Sequence, residues 1–102
     1  MLEQLKEDIE QYNEAMEEYY SLVPEDLDIA YDLAIRFMQI ANRWVEIRLQ
    51  ANKICLETGV KRTDFKDYAY EKYRLASKAH DFCRVVWKQG KEDLKNTFLR
   101  EE

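Results

Sequence analysis

The stretch Glu25–Glu57, EDLDIAYDLAIRFMQIANRWVEIRLQANKICLE, decides the fold. It lies between the only proline, Pro24, and the first glycine, Gly59, and nothing inside it breaks a helix. Ala30, Leu33, Phe37, Ile40, Trp44, Ile47, Ala51 and Ile54 recur in steps of three and four. A second row, Ala34, Met38, Ala41, Val45, Leu49 and Leu56, runs beside the first. Together the rows fill roughly 220° of a helix turning about 100° per residue. A helix that apolar has neighbours on at least two sides. The chain is therefore expected to pack helices together, within one molecule or between copies.

The flanking segments supply those neighbours. Leu2, Leu5, Ile9, Tyr12, Met16 and Tyr19 alternate by three and four, which predicts a first helix over residues 2–20 with a narrow seam and glutamates elsewhere. Ser21–Pro24 break it, and Pro24 suits the first turn of the next helix. Thr58-Gly59 reads as a C-cap, Val60–Arg62 as a connection and Thr63 as an N-cap. A third helix then follows over about 64–98, with Phe65, Tyr68, Ala69, Leu75, Ala76, Ala79, Phe82, Cys83, Val86 and Trp87 inward. Gly90 is a place where it could kink or end. The expected fold is all-α: an elongated up-down-up three-helix bundle on a long antiparallel hairpin, one domain over residues 1–102.

Composition narrows the function classes. With 46% hydrophobic and 13% aromatic residues, the chain is not disordered. No run approaches the roughly 20 apolar residues of a membrane span, and Met1 leads into an acidic helix rather than a signal peptide, so a cytoplasmic location is expected. Two cysteines make no disulfide framework, and the hairpin holds Cys55 and Cys83 roughly 25 Å apart, so both are expected as free thiols, mostly buried. The net charge of −5 hides an asymmetry: residues 1–28 carry ten acids and one base, and the remainder has a net of +4. Either the acidic helix packs beside a basic one, or two surfaces of opposite sign serve partners or copies.

Several residues invite a functional reading. Arg48 and Asn52 fall one turn apart in the centre of the apolar arc, and Lys72 falls on the inner face of the third helix at the level of Arg48. Two cations in a packed seam need an anion. Glu3, Glu7 or Glu71 could supply it, or a phosphate or a partner's carboxylate could. The outer face of the third helix collects Lys66, Tyr70, Arg74, Lys78, Arg84, Lys88, Lys91 and Lys95, a face for nucleic acid or an acidic partner, though Asp67, Asp81 and Glu92 interrupt it. His80, the only histidine, sits beside Asp81 and near Cys83, which is no complete zinc set. Glu14, Glu17 and Glu18 before the turn and Glu25, Asp28 and Asp32 after it resemble the Mg²⁺-holding spacings of MazG-type nucleotide pyrophosphohydrolases, but Asp28 and Asp32 face away from the first helix.

From Leu22-Val23-Pro24-Glu25-Asp26-Leu27 through Trp44 and Gly59 to the helix passing Gly90, the chain resembles P27-type phage terminase small subunits over residues 22–90. The resemblance implies a helical hairpin that assembles as a ring and presents viral DNA. The chain departs from that pattern in lacking an Asn-Pro pair before the second hairpin helix and in being acidic overall; no site residues carry over. The reading that follows is a small non-enzymatic binding or assembly module of phage or mobile-element type. It needs no cofactor or metal, and its expected partners are copies of itself and another protein. A nucleic-acid-associated subunit is the first alternative and a Mg²⁺-dependent pyrophosphohydrolase the second.

Overall fold

The computed structural model describes residues 2–100, which form four helices: α1 (Leu2–Tyr20), α2 (Leu27–Leu49), α3 (Ala51–Thr58) and α4 (Arg62–Arg100). There is no strand among the described residues, and the molecule is an elongated rod of 64 × 18 × 16 Å. Its spine is α4 laid along α2. Contacts pair rising numbers on α2 with falling numbers on α4: Tyr31 with Trp87, the Ala34 carbonyl with His80, and Trp44 with Tyr68. The two helices are therefore antiparallel. α1 lies against the same pair through Tyr12 on Trp44 and through Tyr19 on Phe37 and Phe82.

The expected row of the long helix is the core. Leu33, Phe37, Trp44, Ile47, Ala51 and Ile54 are buried, and they meet Phe65, Ala69, Ala76, Ala79 and Cys83 from α4. Removing this much apolar surface from water is the main force holding α2 and α4 together.

Three boundaries differ from the sequence expectation. The long helix begins at Leu27 rather than Glu25. The Asp26 N–H donates to the Val23 carbonyl, closing a turn with Pro24 at its second position, where the fixed φ of proline fits. The long helix is also two helices, because Gln50 departs to φ −93°, ψ 11°. Its N–H is shared between the Glu46 and Ile47 carbonyls, and the ladder resumes with the Ile54 N–H on the Gln50 carbonyl. No glycine or proline marks this break, so the pattern of the sequence is blind to it. The last helix starts at Arg62, with the Phe65 N–H on the Lys61 carbonyl, so Thr63 lies inside the first turn instead of capping it.

Two glycines shape the spine. Gly59 has φ +74° and its N–H donates to the Cys55 carbonyl at 2.9 Å, the left-handed cap expected there. A side chain at Gly59 meets open space, so Gly59→Ala is strained by the backbone alone and should cost about 1 kcal/mol. A denaturant melt reads this directly, and unchanged stability would refute the strain. Gly90 does not end α4, which continues to Arg100. A Cβ at Gly90 would fall 2.1 Å from Cδ2 of Leu27, so the glycine lets the start of α2 close onto α4. Every residue from Lys91 to Arg100 is exposed, and α4 projects beyond this contact.

Candidate interaction surface

Arg48, Asn52 and Lys72 do not gather around one carboxylate. The Lys72 ammonium lies 4.1 Å from the centroid of the Tyr12 ring and 5.1 Å from that of Tyr68. Burial lowers its pKa, and the charge of Glu71 works partly against that shift. Arg48 is exposed, with its guanidinium 5.4 Å from the Tyr70 centroid. Helical phase alone puts Arg48 on the inner face; its long stem carries the charge across Tyr70 to water instead. Both cations thus find aromatic faces where a carboxylate was expected. Among the described residues no acid lies within ion-pair distance of either, and Glu71 turns to Arg74 at 2.7 Å. Asn52 is exposed on α3 and borders a cleft of about 210 Å³ with Arg48, Arg62 and Lys66.

The basic face of α4 is present and mostly solvated. Tyr70, Arg74, Lys78, Arg84, Lys88, Lys91 and Lys95 are exposed and Lys66 is half-buried. Arg74 is held by Glu71, and the Lys91 ammonium stands 5.1 Å from the Trp87 ring centroid. His80 is half-buried, and its Nδ1–H donates to the Ala34 carbonyl at 2.6 Å, a bond tying α4 to α2. The carbonyl can only accept, which fixes the proton on Nδ1.

An ion pair with a buried carboxylate escaped the sequence reading. Asp8 is the one charged side chain buried among the described residues, with 3% of its side chain exposed. It accepts from Arg43 Nε at 3.0 Å and from Gln4 Nε2 at 3.2 Å. The signal was available: Asp8 stands one turn before Tyr12 and two before Ala15, on the inner face of α1. It was masked by the many other acids of that helix. The pair sits in an open cleft of about 710 Å³ between α1 and α2, lined also by Gln11, Glu14, Gln39, Ile40 and Trp44. Further along, Arg36 bridges Glu18 and Asp32. Glu18 and Asp32 therefore share a guanidinium, so Asp32 does not face away from α1 as expected, and no group of three His, Cys, Asp or Glu among the described residues could hold a metal ion.

Cys55 is half-buried and Cys83 fully buried, both free. Burial pushes the Cys83 thiol up to about 11 and also raises Tyr12, Tyr19 and Tyr68. These groups keep protons in the folded chain that the unfolded chain releases at lower pH. The stability they carry is full up to about pH 8 and is lost as pH rises past roughly 9 to 10. Lys72, with its lowered pKa, acts the other way, as one group against four. Melting temperature should thus fall between pH 8 and pH 10.5; an unchanged value would contradict the burial of these groups.

The remaining feature is an apolar stripe on the outer side of α2. Tyr31, Ile35, Met38, Val45 and Leu49 are each between 38% and 81% exposed, and exposed Asn42 interrupts them. They border α4 on the side opposite α1. Leu94, Phe98 and Leu99 form a smaller apolar group on the projecting end of α4. Compared with known proteins, the chain matches no family model, no curated protein and no solved structure.

Proposed function

We propose that this chain is a small non-enzymatic helical assembly module that acts through protein–protein contacts and associates with copies of itself through the outer face of α2. Each copy is an up-down-up arrangement of three rods: α1, then α2 with α3, then α4. The exposed stripe from Tyr31 to Leu49 is the observation that carries the reading. Monomers rarely leave contiguous apolar patches above a few hundred Å² uncovered. No helix among the described residues is long and apolar enough to cross a membrane. The cytoplasm is the compartment that fits this reading.

Light scattering at high micromolar concentration should return a multiple of the 12.4 kDa chain mass. Val45→Glu with Leu49→Glu should bring the mass back to one chain while helix content and melting are retained, because both side chains are exposed in the single copy. A wild-type mass of 12.4 kDa at high micromolar concentration would refute self-association.

A second reading, a nucleic-acid-associated subunit of the terminase-like, phage kind, is favoured by one observation. Of the cations on the basic face of α4, only Arg74 is ion-paired among the described residues. Phosphate contacts make binding fall steeply with salt. Duplex DNA that is bound at 50 mM salt and released at 200 mM would support it; no binding at the lower salt would end it.

A further inference from the structure

We infer that the second copy docks α2 against α2 in parallel, with Asn42 facing Asn42 and Asp32 of each copy paired with Arg84 of the other. The inference rests on the self-association reading above and specifies its geometry.

The stripe has the spacing of a coiled-coil seam. Tyr31, Ile35, Met38, Asn42, Val45 and Leu49 step by four, three, four, three and four. Ile35, Asn42 and Leu49 then hold the positions called a, and Tyr31, Met38 and Val45 those called d. This seam is separate from the buried row of the same helix, which α1 and α4 already cover. A lone asparagine at an a position is the best-attested device for fixing a parallel register between two strands, because each amide finds its match only when the two stand level. An exposed asparagine in the middle of an apolar stripe has no such use in a single copy.

The flanks of the stripe are unlike each other. On one side stand Ala34 and Ala41, small and buried against α4. On the other stand Asp32, Gln39 and Glu46, all exposed. In a parallel pair, the acidic flank of one α2 faces the alanine flank of the other and so meets the other copy's α4. The contacts of Tyr31 with Trp87 and of Ala34 with His80 set the level: Asp32 stands opposite about residue 84. Arg84 lies between His80 and Trp87 on the row of α4 that borders the stripe, is exposed, and has no carboxylate within ion-pair distance among the described residues. Asp32 is held only loosely at home, 3.5 Å from Arg36. By the same levels Glu46 comes opposite Tyr70, beside Lys66. Glu46 is held at home by Arg43 at 3.1 Å and Gln39 is uncharged, so Asp32 with Arg84 is the pair that sets the charge match.

The antiparallel alternative fits less well. The alignment that fills each layer with stripe residues sets Ile35 against Val45 of the second copy, and Asn42 then faces Met38. It leaves the two Ile35 residues roughly 15 Å apart along the axis, too far for a disulfide.

The test uses the full chain with Cys55→Ser, leaving only the buried Cys83 thiol. Ile35→Cys in that chain should form a covalent dimer under mild oxidation, and Asp32→Arg should weaken association at least tenfold, with Arg84→Asp restoring it. A dimer mass without Ile35→Cys cross-linking, or without rescue by the second reversal, overturns the parallel geometry and leaves self-association standing. A wild-type mass of one chain overturns both.

Discussion

Trp44→Ala should lower the unfolding free energy by about 3–5 kcal/mol, the range for truncating a large aromatic in a core. Trp44 is 1% exposed and stands where three helices meet. Its ring packs edge-on against Tyr12 of α1 at 6.5 Å and Tyr68 of α4 at 5.8 Å between centroids. Those same two tyrosines carry the Lys72 ammonium on their faces. The truncation therefore leaves a cavity, unseats two aromatic contacts and loosens the support of a half-buried cation. Chemical denaturation should show a lowered midpoint. A midpoint within error of the wild type would mean that the site collapses around the missing indole, contrary to the packing described.

Arg43→Ala should cost about 3 kcal/mol and be felt first in α1. Removing one partner of a buried ion pair leaves an uncompensated charge, at roughly 3–5 kcal/mol. The lower end applies because the cleft beside Asp8 is open to water and Gln4 still donates to the carboxylate. Asp8→Asn, which keeps the volume and an acceptor, should cost much less. Hydrogen exchange separates the two: Arg43→Ala should speed exchange across α1 far more than along α2 and α4. Equal losses from the two substitutions would show that the charge of Asp8 is irrelevant.

Much of the spine was legible because apolar spacing and glycine chemistry act locally. The rows from Leu33 to Ile54 and from Phe65 to Cys83, and the cap at Gly59, follow from residue type and interval alone, except that Tyr68 and Phe82, expected inward, are exposed. The break at Gln50 was not legible, since it needs only one residue with φ −93° and ψ 11° and no special side chain. The start at Leu27 was misread because proline serves a β-turn as readily as a first helical turn. The site was legible in part. Lys72 is half-buried, but Arg48, expected on the inner face, is exposed, because phase says nothing of where a long side chain ends; Tyr70, Tyr12 and Tyr68 lie under the charges instead. Asp8 was missed because the value of a buried acid lies in a partner 35 residues away.

The antiparallel spine also orders events in time. Trp44 and Tyr68 are 24 residues apart in sequence, whereas Leu27 and Gly90 are 63 apart. Closing the longer loop unaided costs about 0.9 kcal/mol more than closing the shorter. If the turn forms first, each later pair closes only a few residues beyond the last. The chain then zips from Gly59 outward, and the Leu27–Gly90 clasp forms late. Strain at Gly59 falls on the folding rate, while a fault at the clasp leaves that rate alone and hastens unfolding. One end of the rod governs how quickly it assembles, and the other how long it lasts.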